Sequence, residues 1–140
     1  IYDAAAAIRL MDALELDSIL FPVNFNAWEN GSFGPQILQK AKSKGMARLA
    51  LKALALGRWK QGAKRTHPKC WYEPVSDPAL AKLALQFTLN QEITAAVPPG
   101  DENIFDLALD LACGPLPKLQ KSELARLTEI AKASEPIFRA

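Results

Sequence analysis

The residues with the clearest chemical potential follow a short apolar run late in the chain, where Gly100 and Asp101 open a predicted helix. Free N–H groups and the dipole of a helix start favour anions, so the turn from Gly100 to Ile104 predicts an anion-binding site. The alternative is a plain strand-to-helix turn in which Asp101 stabilises the helix dipole. Further acidic side chains follow in the same helix, at Glu102, Asp106 and Asp110.

A second concentration of chemistry lies in the predicted loop Arg58–Ser76, which mixes basic side chains with Trp59, Trp71 and Tyr72. Basic and aromatic residues together can bind single-stranded nucleic acid. A net charge of +2 over the whole chain gives that interpretation little support, so we predict no nucleic-acid partner. A long loop in a compact domain is more often a lid or a binding loop, and simple solvated charge is the remaining alternative.

Metal and thiol chemistry find little support. His67 stands alone and precedes Pro68, which favours a turn residue over a ligand. One histidine with the distant Cys70 and Cys113 does not make a tetrahedral zinc site, so we predict no metal. Two cysteines do not form a disulfide framework either, and we expect reduced thiols.

Trp28, in a Gly/Asn-rich loop, fits either a pocket wall or simple packing.

Composition limits the chain to one ordinary domain. It has 140 residues, 49% of them apolar, and no apolar run approaches the ~20 residues of a membrane span. No signal peptide is visible, so we predict a cytoplasmic protein without membrane contact. The chain starts at Ile1, without a Met and inside a predicted helix, and we therefore expect it to be a piece of a longer polypeptide.

Three apolar runs predict the strands that must position these groups: Ser18–Phe21, Met46–Leu51 and Thr94–Val97. None shows polar alternation, which is typical of parallel strands covered on both faces. With the intervening helices the order is α-β-α-β-α-β-α-α, which predicts a parallel sheet with right-handed crossovers. The available helices can cover one face only, so something else must cover the other.

Capping signals predict where the helices lie. Asp3 precedes a helix over Ala4–Leu14, and Pro35 starts a helix that ends at Gly45. Asp77 and Pro78 open a helix that continues to about Asn90. Asp101 caps the next helix, and we expect Ser122 to cap the last one.

Three stretches together resemble the C-terminal part of an aldo-keto reductase. SILFPVN is similar to the family's sixth strand, where Asn24 matches and Val23 replaces a Tyr. LALKALALG is similar to the seventh strand and its turn. Leu54 and Gly57 match there, Ala53 replaces a Pro, and Leu51 replaces an aromatic residue. PALAKLALQFTLNQEITAAVPPG resembles the eighth strand with its preceding helix and its Pro-Gly exit.

The resemblance implies an α/β fold in which residues 1–140 form the last part of a (β/α)8 barrel, the sixth to eighth strands with their helices. The family's catalytic residues lie upstream of Ile1, so none is assigned here, and the N-terminal catalytic half would be absent from this chain. The implied partners are a small carbonyl substrate and the rest of the same barrel. The implied cofactor-binding residues are Asn24, Lys52, Leu54, Gly57, Gly100, Asp101, Asp106 and Asp110.

The implied function of the intact protein is reduction of an aldehyde or ketone by NAD(P)H, with this stretch binding the cofactor and shaping the pocket. The acids after Gly100 stand where the family usually has basic and amide groups for the cofactor's 2′-phosphate. Carboxylates repel that phosphate and can accept hydrogen bonds from a ribose hydroxyl, so the sequence favours NAD over NADP. The alternative is a reductase-like interaction module that has lost cofactor binding and is no enzyme.

Overall fold

A computed structural model describes residues 3–139 of the chain. In chain order its elements are α1 (Ala4–Ala13), β1 (Ser18–Pro22), α2 (Phe25–Glu29), α3 (Pro35–Ser43), β2 (Ala47–Leu51), β3 (Ala55–Gly57), β4 (Glu73–Pro74), α4 (Pro78–Leu89), β5 (Ala95–Ala96), α5 (Glu102–Ala112) and α6 (Lys121–Lys132).

The central sheet has three parallel strands in the order β1-β2-β5. Leu20 lies opposite Leu49, which in turn lies opposite Ala95. Backbone hydrogen bonds from Thr94 N to Arg48 O and from Val97 N to Ala50 O, each 2.8 Å, continue the ladder beyond the two residues of β5. The predicted mixed α/β fold with a parallel sheet is therefore confirmed.

The two faces of this sheet differ in cover. Phe21 and Ala50, neighbours in register, are buried on the helix-covered face, at 3% and 0% exposure. On the opposite face Leu20 is 51% exposed, and Ala95, two strands further along, is exposed as well. The described helices thus cover one face only, as we expected from the number of helices that the sequence predicts.

The helix ends follow their local sequence signals. Asp3, Asp77 and Asp101 cap α1, α4 and α5 through their side chains. Gly45 adopts φ +69° after α3, where Gly45 N bonds Lys42 O and Met46 N bonds Ala41 O, the Schellman pattern. The sixth helix departs from the prediction, because Gln120 and Glu123 form its capping box in place of Ser122.

Two regions differ from the predicted loops. The Gly/Asn-rich segment after β1 begins with the short helix α2, because Asn24 caps it and Phe25 is buried at 0% exposure. The long loop after β2 begins and ends in strands, since β3 pairs with β4 in an antiparallel hairpin. A periodicity argument detects neither feature, because α2 spans a single turn and β4 has two residues.

The buried side chains form two clusters. One packs α1 and α3 against the covered face of the sheet, and the other joins α4, α5 and α6. Helix α2 lies between them, because Ala27 belongs to the first cluster and Phe25 to the second. Trp28 packs against both and meets Phe87 edge-to-face at 5.9 Å, and it also lines a surface pocket beside Pro35, so both of its predicted roles stay open.

Candidate functional site

The candidate site is the edge of the sheet where the three parallel strands end. Asn24 lies just beyond β1, Lys52 follows β2 directly, and Val97 follows β5. Carboxyl ends of parallel strands meet at one edge, and ligands of parallel α/β folds bind there. The strands therefore bring Asn24 and Lys52, two of the predicted cofactor residues, to the same edge.

Asn24 has one satisfied and one unsatisfied polar atom. Its Oδ1 accepts a hydrogen bond from Ala27 N at 2.9 Å and so caps α2. The residue is 2% exposed, and its Nδ2 has no hydrogen-bond partner in the described part of the chain. A buried amide donor without a partner destabilises the folded protein, so Asn24 Nδ2 is a candidate donor to an acceptor atom of a ligand.

Lys52 combines a strained backbone with an aromatic environment. Its φ of +67° is rare for a residue with a long side chain, and such strain concentrates at functional sites. Its Nζ lies 4.5 Å from the ring centroid of Tyr72 and 5.1 Å from that of Trp71. These cation–π contacts hold the ammonium group beside the strand end. No carboxylate pairs with Lys52 among residues 3–139.

The groups around Lys52 are neutral at physiological pH. Burial, with Asp101 nearby, raises the pKa of the Cys70 thiol against weaker opposing contacts. Burial and the neighbouring Cys70 also raise the pKa of the Tyr72 phenol well above its usual value. Partial burial lowers the pKa of Lys52, and Cys70 acts in the opposite sense. Lys52 is thus a cation set among neutral side chains, a suitable partner for a negatively charged or carbonyl oxygen.

Leu54 and Gly57 have packing roles in this fold. Leu54 is 2% exposed, and its carbonyl accepts the hydrogen bond from Val75 N at 2.8 Å that closes the β3–β4 hairpin. A Cβ at Gly57 would lie 2.6 Å from Glu135 O, so only glycine lets the C-terminal segment approach β3 this closely. A cofactor contact of either residue stays a prediction.

At the helix start formed by Gly100 and Asp101, the Asp101 side chain already contacts other groups of the protein. Asp101 Oδ1 accepts from Ile104 N at 3.3 Å and lies 3.2 Å from His67 Nδ1. Burial tends to raise the pKa of Asp101, but the His67 contact and the bonds from backbone N–H groups outweigh it, so the pKa is lowered. A Cβ at Gly100 would meet nothing within 4 Å, which leaves open space beside this turn.

The four acids of this region have different environments in the structure. Asp101 is buried against His67, and Glu102 Oε1 lies 2.6 Å from Lys69 Nζ in an exposed ion pair. Asp106 and Asp110 are exposed on α5, without an ion-pair partner in the described chain. The loop therefore engages two of the four acids, and Lys69 supplies a cation beside Glu102, which reduces the repulsion expected for a phosphate.

The sequence predicts a lid or binding loop over Arg58–Ser76, but not which of its residues reach this site. His67, interpreted above as a turn residue, contacts Asp101, while Cys70, Trp71 and Tyr72 surround Lys52. The β3–β4 pairing returns the loop to the strand end, and this long-range contact has no periodic signal in the sequence. The cluster of aromatic residues beside a lone histidine was the only available hint.

Two further observations concern the described residues as a group. Residues 3–139 contain no group of three His, Cys, Asp or Glu side chains that could hold a metal ion. No helix within that range is long and apolar enough to cross a bilayer.

The chain was compared with protein-family models, curated proteins and solved structures. No protein-family model, no curated protein and no solved structure matches it.

Proposed function

We propose that this chain is the cofactor-side part of an aldo-keto reductase barrel and that the intact protein reduces an aldehyde or ketone with a nicotinamide cofactor. The observation that carries the proposal is the carboxyl edge of the β1-β2-β5 sheet. There, Asn24 has a buried unpaired donor and Lys52 a cation without a carboxylate partner among the described residues.

These two residues fit the polar groups of a nicotinamide dinucleotide. Asn24 Nδ2 would donate to an acceptor oxygen, and Lys52 Nζ would face a phosphate or a ribose oxygen. When bound, the cofactor supplies the hydride. His67 and Ile104 already engage the Oδ1 atom of Asp101, so only its Oδ2 atom could accept from a cofactor.

Two features of the sheet favour a closed barrel, rather than an open sheet, as the architecture of the intact protein. Sequential strands lie side by side in chain order, and one face of the sheet exposes Leu20 and Ala95. In a (β/α)8 barrel that face points inward, against side chains of the remaining strands. The rest of the barrel is thus the partner that we propose for this face.

Cofactor titration of the intact protein tests the assignment. Asn24→Ser keeps a capping oxygen for α2 but removes the amide donor, and Lys52→Met removes the cation with a similar chain length. Each should weaken NADH binding by about tenfold, as expected for one lost hydrogen bond to a charged or polar group. Lys82→Met, at an exposed position on α4, is the control and should leave the affinity unchanged. Equal affinities for all four proteins would contradict the proposal.

The same titration addresses cofactor choice. We propose a preference for NAD, because the exposed Asp106 and Asp110 stand on α5 without a balancing cation in the described chain. One close carboxylate–phosphate pair costs about 1 kcal/mol in a water-rich environment, so a roughly fivefold to tenfold preference is expected. Asp106→Arg should reduce or reverse it. Tighter NADP binding by the unmodified protein would show that these acids have no part in cofactor recognition.

The second candidate is an interaction module without cofactor binding. Leu51 favours it, since an aliphatic side chain stands where the family resemblance implies an aromatic ring against the nicotinamide. A correctly folded intact protein that binds neither NADH nor NADPH at millimolar concentration would favour the module over the reductase.

A further inference from the structure

A pocket lies between the loop after β3 and the C-terminal segment. It has a volume of about 330 Å³ and is lined by Arg58, Trp59, Arg65, Trp71 and Ile137. We refer to it as the loop pocket. All of its lining residues except Ile137 come from the basic, aromatic loop, and one of them, Trp71, also contacts Lys52.

The aromatic walls of the loop pocket are held in place. Trp59 Nε1 donates a hydrogen bond to Cys70 O at 3.0 Å, which fixes the indole across the loop. Trp71 meets Tyr72 edge-to-face at 5.6 Å and Phe138 edge-to-face at 6.3 Å. Even so, Trp71 remains 50% exposed. A large aromatic ring that is ordered by its neighbours but left open to solvent is available for stacking.

The charged walls of the loop pocket are positive. Arg65 has no ion-pair or hydrogen-bond partner among residues 3–139. Arg58 contacts Glu135 through Nε at 3.5 Å, and no hydrogen bond within the described chain engages its terminal nitrogens. Lys52 lies outside the lining of the pocket, 5.1 Å from the centroid of the Trp71 ring. Glu135 offsets one of the two arginine charges, so the pocket keeps an excess of positive charge.

We propose that the loop pocket binds a planar aromatic anion, that is, one ring system carrying a carboxylate or a phosphate group. Trp59 and Trp71 supply faces for the ring, and the planar guanidinium groups of Arg58 and Arg65 suit the oxygens of the anion. The volume is at the lower end of the range for small-molecule sites, which fits a single substituted ring. The site goes beyond the proposed reductase function and does not depend on it.

The small size of the pocket distinguishes this site from a nucleic-acid surface. Nucleic-acid binding uses successive stacking platforms along a positively charged groove. Here both indoles line one small pocket together with the largely buried Ile137, at 8% exposure. The arrangement therefore accommodates one ring, in agreement with the modest charge of +2 on the chain.

The indole N–H signals of the protein in a proton–nitrogen NMR spectrum provide a direct test. Benzoate and phenyl phosphate represent the two anion types, benzyl alcohol is the neutral aromatic control, and acetate is the anion without a ring. We expect either aromatic anion to shift the signals of Trp59 and Trp71 while Trp28, packed against Phe87, stays unchanged. Shifts with only one of them assign the anion type. Equal shifts with benzyl alcohol or acetate, or no shift with either aromatic anion, would overturn the proposal.

Matched arginine variants test the charge. Arg65→Gln should weaken binding of the aromatic anion by about tenfold, as expected for one charge-assisted hydrogen bond. Arg126→Gln, at an exposed position on α6, is the control and should leave the affinity unchanged. Equal affinities for both variants would contradict the assignment.

Competition separates this site from the proposed cofactor site. Addition of NAD should leave the benzoate-induced shift of Trp59 in place. Trp71 does not serve as the readout here, because it contacts Lys52 of the proposed cofactor site. Displacement of benzoate by NAD would make the loop pocket part of a cofactor site and overturn its assignment as a separate one. A protein that binds benzoate but no nicotinamide cofactor would refute the proposed reductase while supporting the loop pocket.

Discussion

At the scale of single residues, close contacts decide what each position tolerates. Gly57 and Gly100 are both predicted cofactor residues, yet their surroundings differ completely. Gly57 lies under the carbonyl of Glu135, whereas Gly100 faces open space. Asp101 similarly differs from Asp106 on the same helix, because only Asp101 is buried and paired. Residue type alone therefore says little about role here.

Gly57→Ala should destabilise the protein. Its new Cβ would lie 2.6 Å from Glu135 O and 3.2 Å from Asn26 Nδ2, and relief of such a clash requires backbone movement. Overpacking of this kind costs about 1–3 kcal/mol in the free energy of unfolding, measured by urea denaturation. Gly100→Ala is the control and should change stability little, since nothing lies within 4 Å of the methyl group that it would add. Equal effects of the two substitutions would contradict this explanation.

Asp101 should contribute to stability in a pH-dependent manner. Its folded-state pKa is lowered, so its contribution is present above the ordinary Asp value of 3.8 and is lost as the pH falls through the lower folded value. Asp101→Asn keeps a capping oxygen but cannot ionise, and it should reduce the loss of stability between pH 5 and pH 3, taken as about one unit on either side of the ordinary value. Urea midpoints at several pH values measure this loss. If the variant and the unmodified protein lost the same stability between pH 5 and pH 3, the Asp101 carboxylate would gain no stabilisation from His67.

At the scale of elements, a few buried polar bonds set how the helices meet the strand ends. Thr88 Oγ1 on α4 donates to Val23 O at 2.9 Å, and both residues are fully buried, at 0% exposure. This bond ties α4 to the exit of β1, immediately before Asn24. The orientation of a candidate ligand residue thus depends on a hydroxyl group from a distant helix.

Thr88→Val removes that hydroxyl while conserving the shape of the side chain. It leaves Val23 O without this donor, and an unsatisfied buried group costs about 1–3 kcal/mol of stability. Thr128→Val is the matched control, because the hydrogen bonds of Thr128 are exposed, and it should change stability by less than about 0.5 kcal/mol. Thermal and urea unfolding measure both variants. Similar losses of stability in the two variants would show that the Thr88 hydrogen bond contributes no more than the exposed bonds of Thr128.

At the scale of the whole molecule, the sheet has one uncovered face and two free edges. Leu20 is 51% exposed on that face, and the outer strands β1 and β5 each lack a neighbour within the described chain. Uncovered apolar surface and unpaired strand edges both promote association. This is the feature that the proposed barrel would cover.

The chain of 140 residues, purified by itself, should therefore self-associate and bind dyes that report apolar surface. Leu20→Gln should reduce the association seen by sedimentation, because it places a polar group on the open face. Leu14→Gln is the control, since Leu14 is equally exposed, at 50%, but lies at the end of α1. A monodisperse monomer that binds no dye would argue against an open sheet face.

The sequence by itself determined the local features of this protein. Helix caps at Asp3, Asp77 and Asp101, the glycine after α3 and the three apolar strands all follow from interactions within a few residues. The parallel order of the strands follows from their alternation with helices. Asn24 and Lys52 could be placed at the carboxyl edge because each follows a predicted strand.

Only the tertiary structure decided what these residues contact. The pairing of β3 with β4 brings Trp71 and Tyr72 to Lys52, and the same loop brings His67 to Asp101. Such contacts join residues far apart in the chain, so no local pattern encodes them. Burial likewise separates Asp101 from the exposed Asp106, since their different environments arise only when the loop packs against the start of α5.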